Sequence, residues 1–259
     1  YVTPDESVTF ATKPLAQQMA EFPGLPKVAY VYMLQTQGLM HDTYLYGLDV
    51  KRILPTFLYP TEVMDGAVIS GNCVSACDKN TTYHHMNNPV IADLLARHGQ
   101  DLNFIGVVAT NENVTLLDKE RSSNFTAKLV ESLGVEGVII SEEGFGNPDA
   151  DLIMNCRKIE ALGIKTVLIT DEYAGRDGAS QSLADGNPLA NAVVSGGNAN
   201  AVIELPPMPK VIGYIDAVEI IAGGFDGALK KDGSITVEIQ AITGATNELG
   251  FNRMGALEF

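Results

Sequence analysis

Tryptophan is absent from this sequence, cysteine occurs three times and histidine four times, and 17 Lys and Arg stand against 32 Asp and Glu. Each shortage excludes something. Three cysteines cannot build a multi-bridge disulfide framework and suit a reducing compartment, so a cytoplasmic location is expected. A formal charge of −15 lacks the cationic surplus that nucleic-acid phosphates require, and it disfavours anionic membrane surfaces. No apolar run reaches bilayer length, and no basic start with a small-residue cleavage site marks a secretory signal. The chain opens on Tyr1 rather than Met, which reads as a fragment or a processed product. What is present is ordinary for a soluble globular protein: 259 residues, 46% hydrophobic and 19% charged, enough for one large domain or one domain with a partial second.

Apolar runs alternate with amphipathic ones from about residue 102 to 195. Residues 104–109, 138–140, 166–169 and 192–194 read as strands. Residues 118–133 and 149–162 read as helices, closed by Gly134 and Gly163, with Pro148 near the start of the second. Ahead of them, 28–34 and 67–70 read as strands and 89–98 as a helix, while the first two dozen residues read as a polar arm. Near-continuous apolar strands in βαβα order predict an α/β fold. The expected form is a doubly wound, mostly parallel sheet with helices on both faces, Rossmann-like or flavodoxin-like. Pro206-Pro207-Met208-Pro209 reads as an extended linker, 214–221 as a helix and 235–239 as a last strand in a Gly-rich section.

Three predicted strands end in acidic tips: Thr110-Asn111-Glu112, Ser141-Glu142-Glu143 and Thr170-Asp171-Glu172. Parallel strands deliver their carboxyl ends to one edge, where ligands of such sheets bind. The tips therefore read either as a cation-favouring rim suited to an amine or as plain caps of the following helices. Ser195-Gly196-Gly197-Asn198 and Gly223-Gly224 match neither the dinucleotide fingerprint nor the P-loop and read as turns.

The remaining chemistry-bearing residues cluster after the strand at 67–70. Cys73, Cys77, His84 and His85 lie close together, but their spacing matches no common zinc module, and no metal is expected. No Gly-x-Ser-x-Gly elbow is present. A Cys/His pair using Cys73 or Cys77 stays open, as does a packing or surface role for each histidine. Cys156 falls on the apolar side of a predicted helix and reads as core. Cys73 follows Gly71-Asn72 directly at the end of a strand, so its thiol can reach the Asn72 carbonyl carbon and turn that amide into a thioester.

The stretch Gly71-Asn72-Cys73-Val74-Ser75-Ala76-Cys77-Asp78-Lys79-Asn80-Thr81-Thr82-Tyr83-His84-His85, together with Ile242-Thr243-Gly244-Ala245-Thr246-Asn247-Glu248-Leu249-Gly250, resembles the proprotein of component B of the glycine/sarcosine/betaine reductases. The D-proline reductase proprotein is a more distant likeness. The resemblance runs over nearly the whole chain and implies self-cleavage between Asn72 and Cys73, with Cys73 becoming a covalent pyruvoyl group. It divides the chain into 1–72, the end of the pre-cleavage subunit, and 73–259, the pyruvoyl-bearing α/β subunit, expected to pack as one globular unit. Gly71 supplies backbone freedom, His84 or His85 the proton transfers, and Asp78 an orienting carboxylate. Substrate-binding candidates are Glu143, Asp171 and Glu172 on the strand tips and Thr243, Asn247 and Glu248 in the second motif.

The implied pyruvoyl ketone condenses with an amine and acts as an electron sink, making nitrogen a better leaving group. Betaine's quaternary nitrogen cannot form an imine, so this role does not carry over to that branch unchanged. The implied partners are a selenoprotein subunit of component B that supplies the nucleophile, a small selenoprotein carrier (component A) and an acetyl-phosphate-forming component C, in an oligomer. Two other readings stay open: a D-proline reductase-type pyruvoyl subunit, and an uncleaved scaffold that only positions the selenoprotein.

Overall fold

A computed structural model describes residues 13–37, 42–70, 80–179 and 185–243. In chain order, helix α1 (Leu15–Glu21) leads to strand β1 (Lys27–Leu34), then β2 (Thr43–Leu45), β3 (Leu48–Asp49), β4 (Thr56–Leu58), α2 (Pro60–Met64) and β5 (Val68–Ser70). Next come α3 (Thr82–Met86), α4 (Pro89–Arg97), β6 (Asn103–Asn111), α5 (Leu116–Ser132), β7 (Gly137–Ser141), α6 (Asn147–Glu160) and β8 (Lys165–Glu172). The remainder is β9 (Val193–Asn198), β10 (Val202–Leu205), β11 (Ile235–Glu238) and α7 (Gln240–Thr243).

The main sheet has the order β4-β6-β1-β7-β8-β9. Five strands run parallel, and β4 is added antiparallel at the β6 edge. Counting only the parallel strands in chain order gives 2-1-3-4-5, the flavodoxin-like doubly wound order. The winding reverses at β1, which lies between β6 and β7. Side chains alternate across the sheet. Ala29, Val31 and Met33 join one core with Val130 of α5 and Leu152, Cys156 and Ile159 of α6. Tyr30, Tyr32 and Leu34 join another with Ile91 and Leu94 of α4. Helices thus cover both faces, and both faces of β1 are dry, which is why its sequence is apolar without alternation.

Register slips between β8 and β9 at Thr170/Glu172, and between β1 and β6. Val28 pairs with Phe104 but Ala29 with Gly106, so Ile105 is an extra residue in β6 and the facing of the strand changes phase there. Gly106 has φ +154°, and a Cβ on it would sit 2.5 Å from the Phe57 ring of the neighbouring strand. Capping follows residue type. Asn88 accepts from Ile91 N (3.1 Å) at the start of α4, and Thr115 accepts from Asp118 N (3.2 Å) at the start of α5. Gly134 and Gly163 follow α5 and α6 in the left-handed region, at φ +58° and +82°.

Two expectations change. The N-terminal arm contains α1, whose Leu15 and Met19 pack on the sheet core and whose Gln18 side chain donates to Phe104 O (3.0 Å). The predicted helix at 214–221 is a 3-10 turn, Ile215–Glu219, in the connection between the antiparallel strands β10 and β11, a pair with its own small core of Ala228, Ile235 and Val237.

Candidate functional site

The carboxyl ends of β1, β6 and β7 meet where the winding reverses. Glu112 follows β6, and Glu142 and Glu143 follow β7; all three side chains are fully buried. Thr170 of β8 donates to Glu142 Oε1. Glu143 Oε2 accepts from Gln35 N (2.6 Å) and Oε1 from Asn80 N (2.8 Å), charge-assisted bonds suited to a carboxylate. Glu143 N in turn donates to Glu112 Oε1 (2.7 Å). Glu112 Oε2 has no hydrogen-bond partner among the described residues. Burial first, and then the charges of Glu143 and Glu142, hold the Glu112 carboxyl well above the usual carboxylate range. The tips of β6 and β7 therefore form a buried carboxyl cluster, not the open acidic rim their composition suggests.

Against this cluster stands His85, in the short helix α3 that Thr81 caps. The ring is fully buried and both nitrogens are engaged: Nδ1 lies 2.6 Å from Tyr32 Oη and Nε2 lies 2.8 Å from Ser70 Oγ. Glu143 Oε1 is 3.9 Å from Nε2. Tyr32 stacks on Tyr30, whose hydroxyl meets Ser141 Oγ at 2.5 Å. Ser70 is fixed twice more: its N–H donates to Thr82 Oγ1 (3.0 Å), which donates to Ser70 O (3.2 Å). The two residues that bracket positions 71–79, Ser70 and Asn80, are thus both bound at the switch point, one to His85 and one to Glu143. His84 faces elsewhere. It is half-buried, stacks edge-on against the exposed Tyr83 and meets Thr81 Oγ1 at 3.2 Å, and burial lowers its pKa.

A second buried polar cluster ties the neighbouring loops together. Lys119 of α5 pairs with Asp151 of α6 and donates to Asn147 O (2.9 Å). Asp151 also accepts from Asn113 N, and the Gln37 side chain donates to Asn113 O (2.7 Å) and Asn147 Oδ1 (3.2 Å). Burial pushes the Asp151 carboxyl up to about 6, against the pull of Lys119. This cluster holds the segments after β1, β6 and β7 in fixed relation.

Of the residues singled out from sequence, the structure brings His85 and Glu143 together. Glu172 bonds Ser195 Oγ (2.9 Å) toward the β9 edge instead. Asp171 lies in β8 and Thr243 ends α7. Gly71, Asn72, Cys73, Cys77, Asp78, Asn247 and Glu248 lie outside the described residues. Cys156 is buried and unpaired, as its helical position predicts. Tyr32, Ser70 and Gln35 are site residues that sequence reasoning misses; each is a polar residue at or beside the end of an otherwise apolar strand, the only signal available. Among the described residues, no group of three or more His, Cys, Asp and Glu is arranged to hold a metal ion, and no helix is long and apolar enough to cross a membrane.

No solved structure matches the chain. The glycine reductase complex component B subunits alpha and beta of Acetoanaerobium sticklandii are 68% identical over 257 residues, 98% of this chain and 60% of that protein. The sarcosine reductase complex component B subunit alpha of Peptoclostridium acidaminophilum is 59% identical over 255 residues, covering 98% and 60%. The betaine reductase complex component B subunit alpha of the same organism is 41% identical over 266 residues, covering 99% and 60%. The chain thus spans about 60% of the length of these relatives. The family model for glycine/sarcosine/betaine reductase component B subunits matches residues 1–257, and the chain belongs to that family.

Proposed function

We propose that this chain is the pyruvoyl-forming, substrate-binding part of an amino-acid reductase of the glycine reductase type, cut by its own Cys73 at the Asn72–Cys73 bond. The observation that carries this reading is the anchoring of Ser70 and Asn80. Both ends of the short stretch containing Cys73 are tied to a buried histidine and a buried carboxylate at the crevice where such sheets bind ligands. A base and a charge partner stand next to the strand end from which the scissile bond follows three residues on.

The surrounding residues fit a pyruvoyl group with an amine substrate. Glu112 offers a fully buried oxygen without a partner among the described residues, and Glu143 offers negative charge beside it. These two would receive the amino group, and His85 would move protons at Nε2. The pyruvoyl carbonyl supplies an electron-withdrawing centre that makes the substrate nitrogen easier to expel. Lys119, Asp151 and Gln37 keep the receiving segments in place, and the dry walls from Tyr30, Tyr32 and Leu34 exclude water.

In this reading the substrate is glycine, or sarcosine or betaine, and reductive C–N cleavage, with the two electrons coming through the partner selenoproteins and with inorganic phosphate, yields acetyl phosphate and ammonia or an amine. A selenoprotein subunit supplies the nucleophile, and a small selenoprotein carrier and an acetyl-phosphate-forming component complete the reaction in the cytoplasm. The pieces 1–72 and 73–259 remain one folded unit, because β1 from the first is paired on both sides by β6 and β7 from the second. The test is a reconstituted assay of ammonia or amine release from glycine, sarcosine, betaine and proline, with wild-type protein and with Cys73→Ala. Glycine turnover that vanishes in the variant is expected; equal turnover in the variant overturns the reading.

A further inference from the structure

We propose that Gln35, just past the end of β1, receives the carboxylate of an α-amino acid whose amino group lies on Glu112. The inference rests on the amine-binding reading above and deepens it, from an amine to a zwitterion held at both ends.

The sheet places the two residues side by side. β1 and β6 pair in parallel up to Leu34 and Asn111, and Glu112 N donates to Leu34 O (3.0 Å), so the pairing runs one step past both strands. Thr36 Oγ1 donates to Glu112 O. Gln35 N donates to Glu143 Oε2 (2.6 Å), and Glu143 N donates to Glu112 Oε1 (2.7 Å). The ends of β1, β6 and β7 are thereby laced together where the winding reverses, the position at which sheets of this order bind ligands.

Each of the two side chains keeps one polar end without a bond. Glu112 is 0% exposed, and its Oε2 has no hydrogen-bond partner among the described residues. Gln35 is 2% exposed. Its Oε1 lies 3.1 Å from Gln37 N, and a backbone N–H can only donate, so that atom is the amide oxygen and the nitrogen occupies the other branch. Gln37 is itself pinned, because its side chain donates to Asn113 O (2.7 Å) and Asn147 Oδ1 (3.2 Å). The Gln35 amide nitrogen makes no bond among the described residues, although the backbone nitrogen and the amide oxygen are both engaged. Leaving a donor and an acceptor bare inside a protein is costly, and native structures partner such groups with a ligand or an ordered water.

The chemistry of the pair selects the ligand. The Gln35 amide offers uncharged N–H donors, which suit a carboxylate oxygen. Glu112 Oε2, with Glu143 and Glu142 as neighbours, suits a positively charged N–H donor. A simple amine satisfies only the second group and a simple carboxylate only the first. An α-amino acid satisfies both, with its ammonium and carboxylate joined through one carbon. A free carboxylate would also face the charge of Glu143, which is bonded to the backbone of Gln35, whereas a zwitterion brings its own cation. Glycine, sarcosine and betaine differ in the methylation of nitrogen and share the carboxylate. Gln35 therefore supplies affinity common to all three, and Glu112 meets the end at which they differ.

The Gln35 side-chain amide resonances are followed in the 1H–15N spectrum while wild-type and uncut Cys73→Ala protein are titrated with glycine, methylamine and acetate. Glycine is expected to shift them, methylamine to leave them in place, and acetate to bind more weakly than glycine. Gln35→Glu replaces the amide nitrogen by oxygen and keeps the acceptor for Gln37 N. It is expected to weaken glycine about 10–100-fold, the worth of a hydrogen bond to a charged group, without weakening methylamine. Gln35 resonances that ignore saturating glycine, with water as the sole partner of the amide, overturn the inference; so does Gln35→Glu protein that binds glycine as its parent does. If Gln35→Glu does not fold, the titration of the parent decides alone. Glu112→Gln that binds glycine and methylamine unchanged overturns the amine-binding reading instead, and glycine that binds neither protein overturns both. A wild-type chain that never cuts refutes self-cleavage only, since binding to the uncut protein still decides the role of Gln35.

Discussion

Glu112→Gln probes the buried carboxyl cluster without disturbing its shape. The side-chain carbonyl of the introduced amide can accept from Glu143 N as Glu112 Oε1 does at 2.7 Å, so the backbone bond survives. What changes is the titration. The Glu112 pKa is raised in the folded protein by burial and by Glu143 and Glu142, so its contribution to stability is complete below the unfolded value near 4.5 and is lost as pH rises toward the folded value. Across that window the folded protein holds one more proton than the unfolded chain, and stability falls by about 1.4 kcal/mol per pH unit. The amide removes this slope. Its second polar end, where Oε2 has no partner among the described residues, adds a pH-independent cost of about 1–3 kcal/mol. Urea unfolding in a Cys73→Ala background, at pH 5 and pH 6, reads the difference. The variant is expected to gain stability relative to its parent as the pH rises between the two values. A stability difference between variant and parent that does not change with pH refutes the assignment of a proton to Glu112.

Lys119→Met leaves Asp151 buried without its cation and should cost about 3–5 kcal/mol at pH 8. The folded Asp151 pKa is about 6, above its unfolded value, so the deficit is expected to shrink toward pH 5, where the carboxyl takes a proton; equal deficits at both pH values contradict the pairing. Gly106→Ala drives a Cβ to 2.5 Å from Phe57 and 3.0 Å from Leu58 O, and thermal or urea unfolding should show a loss of about 1–3 kcal/mol. Gly137→Ala, whose Cβ would meet only Lys165 O at 3.6 Å, should change far less, and a reversed order would contradict the packing described for β4 on β6.

The parallel sheet was legible because β1 and β6 are buried on both faces and β7 and β8 are apolar through their middles, so all four read as apolar runs, while Gly134 and Gly163 mark helix ends by the left-handed backbone they adopt. The helix α1 was not legible. Its seven residues, LAQQMAE, are polar enough to pass for an arm, and only the docking of Leu15 and Met19 on the sheet makes it a helix. The stretch 214–221 has helical spacing but closes into a 3-10 turn ahead of Gly223 and Gly224, where an added Cβ would strike backbone at 2.9 Å and 2.1 Å. At the site, the acidic tips announced Glu143, but nothing local to the sequence says that Glu112 meets it across 31 positions or that Tyr32 reaches His85 across 53. Those contacts are products of strand order. The resemblance read from Gly71 to His85 supplied the family; the sheet topology supplied the neighbours.

The direct test of self-processing is intact mass spectrometry of freshly purified full-length protein, before and after treatment with borohydride or a hydrazine. Two polypeptides are predicted, one ending at Asn72 and one beginning at position 73 without its sulfur, and only the second should gain mass from the carbonyl reagent. A single unbroken polypeptide that retains the Cys73 thiol and ignores both reagents would contradict the account.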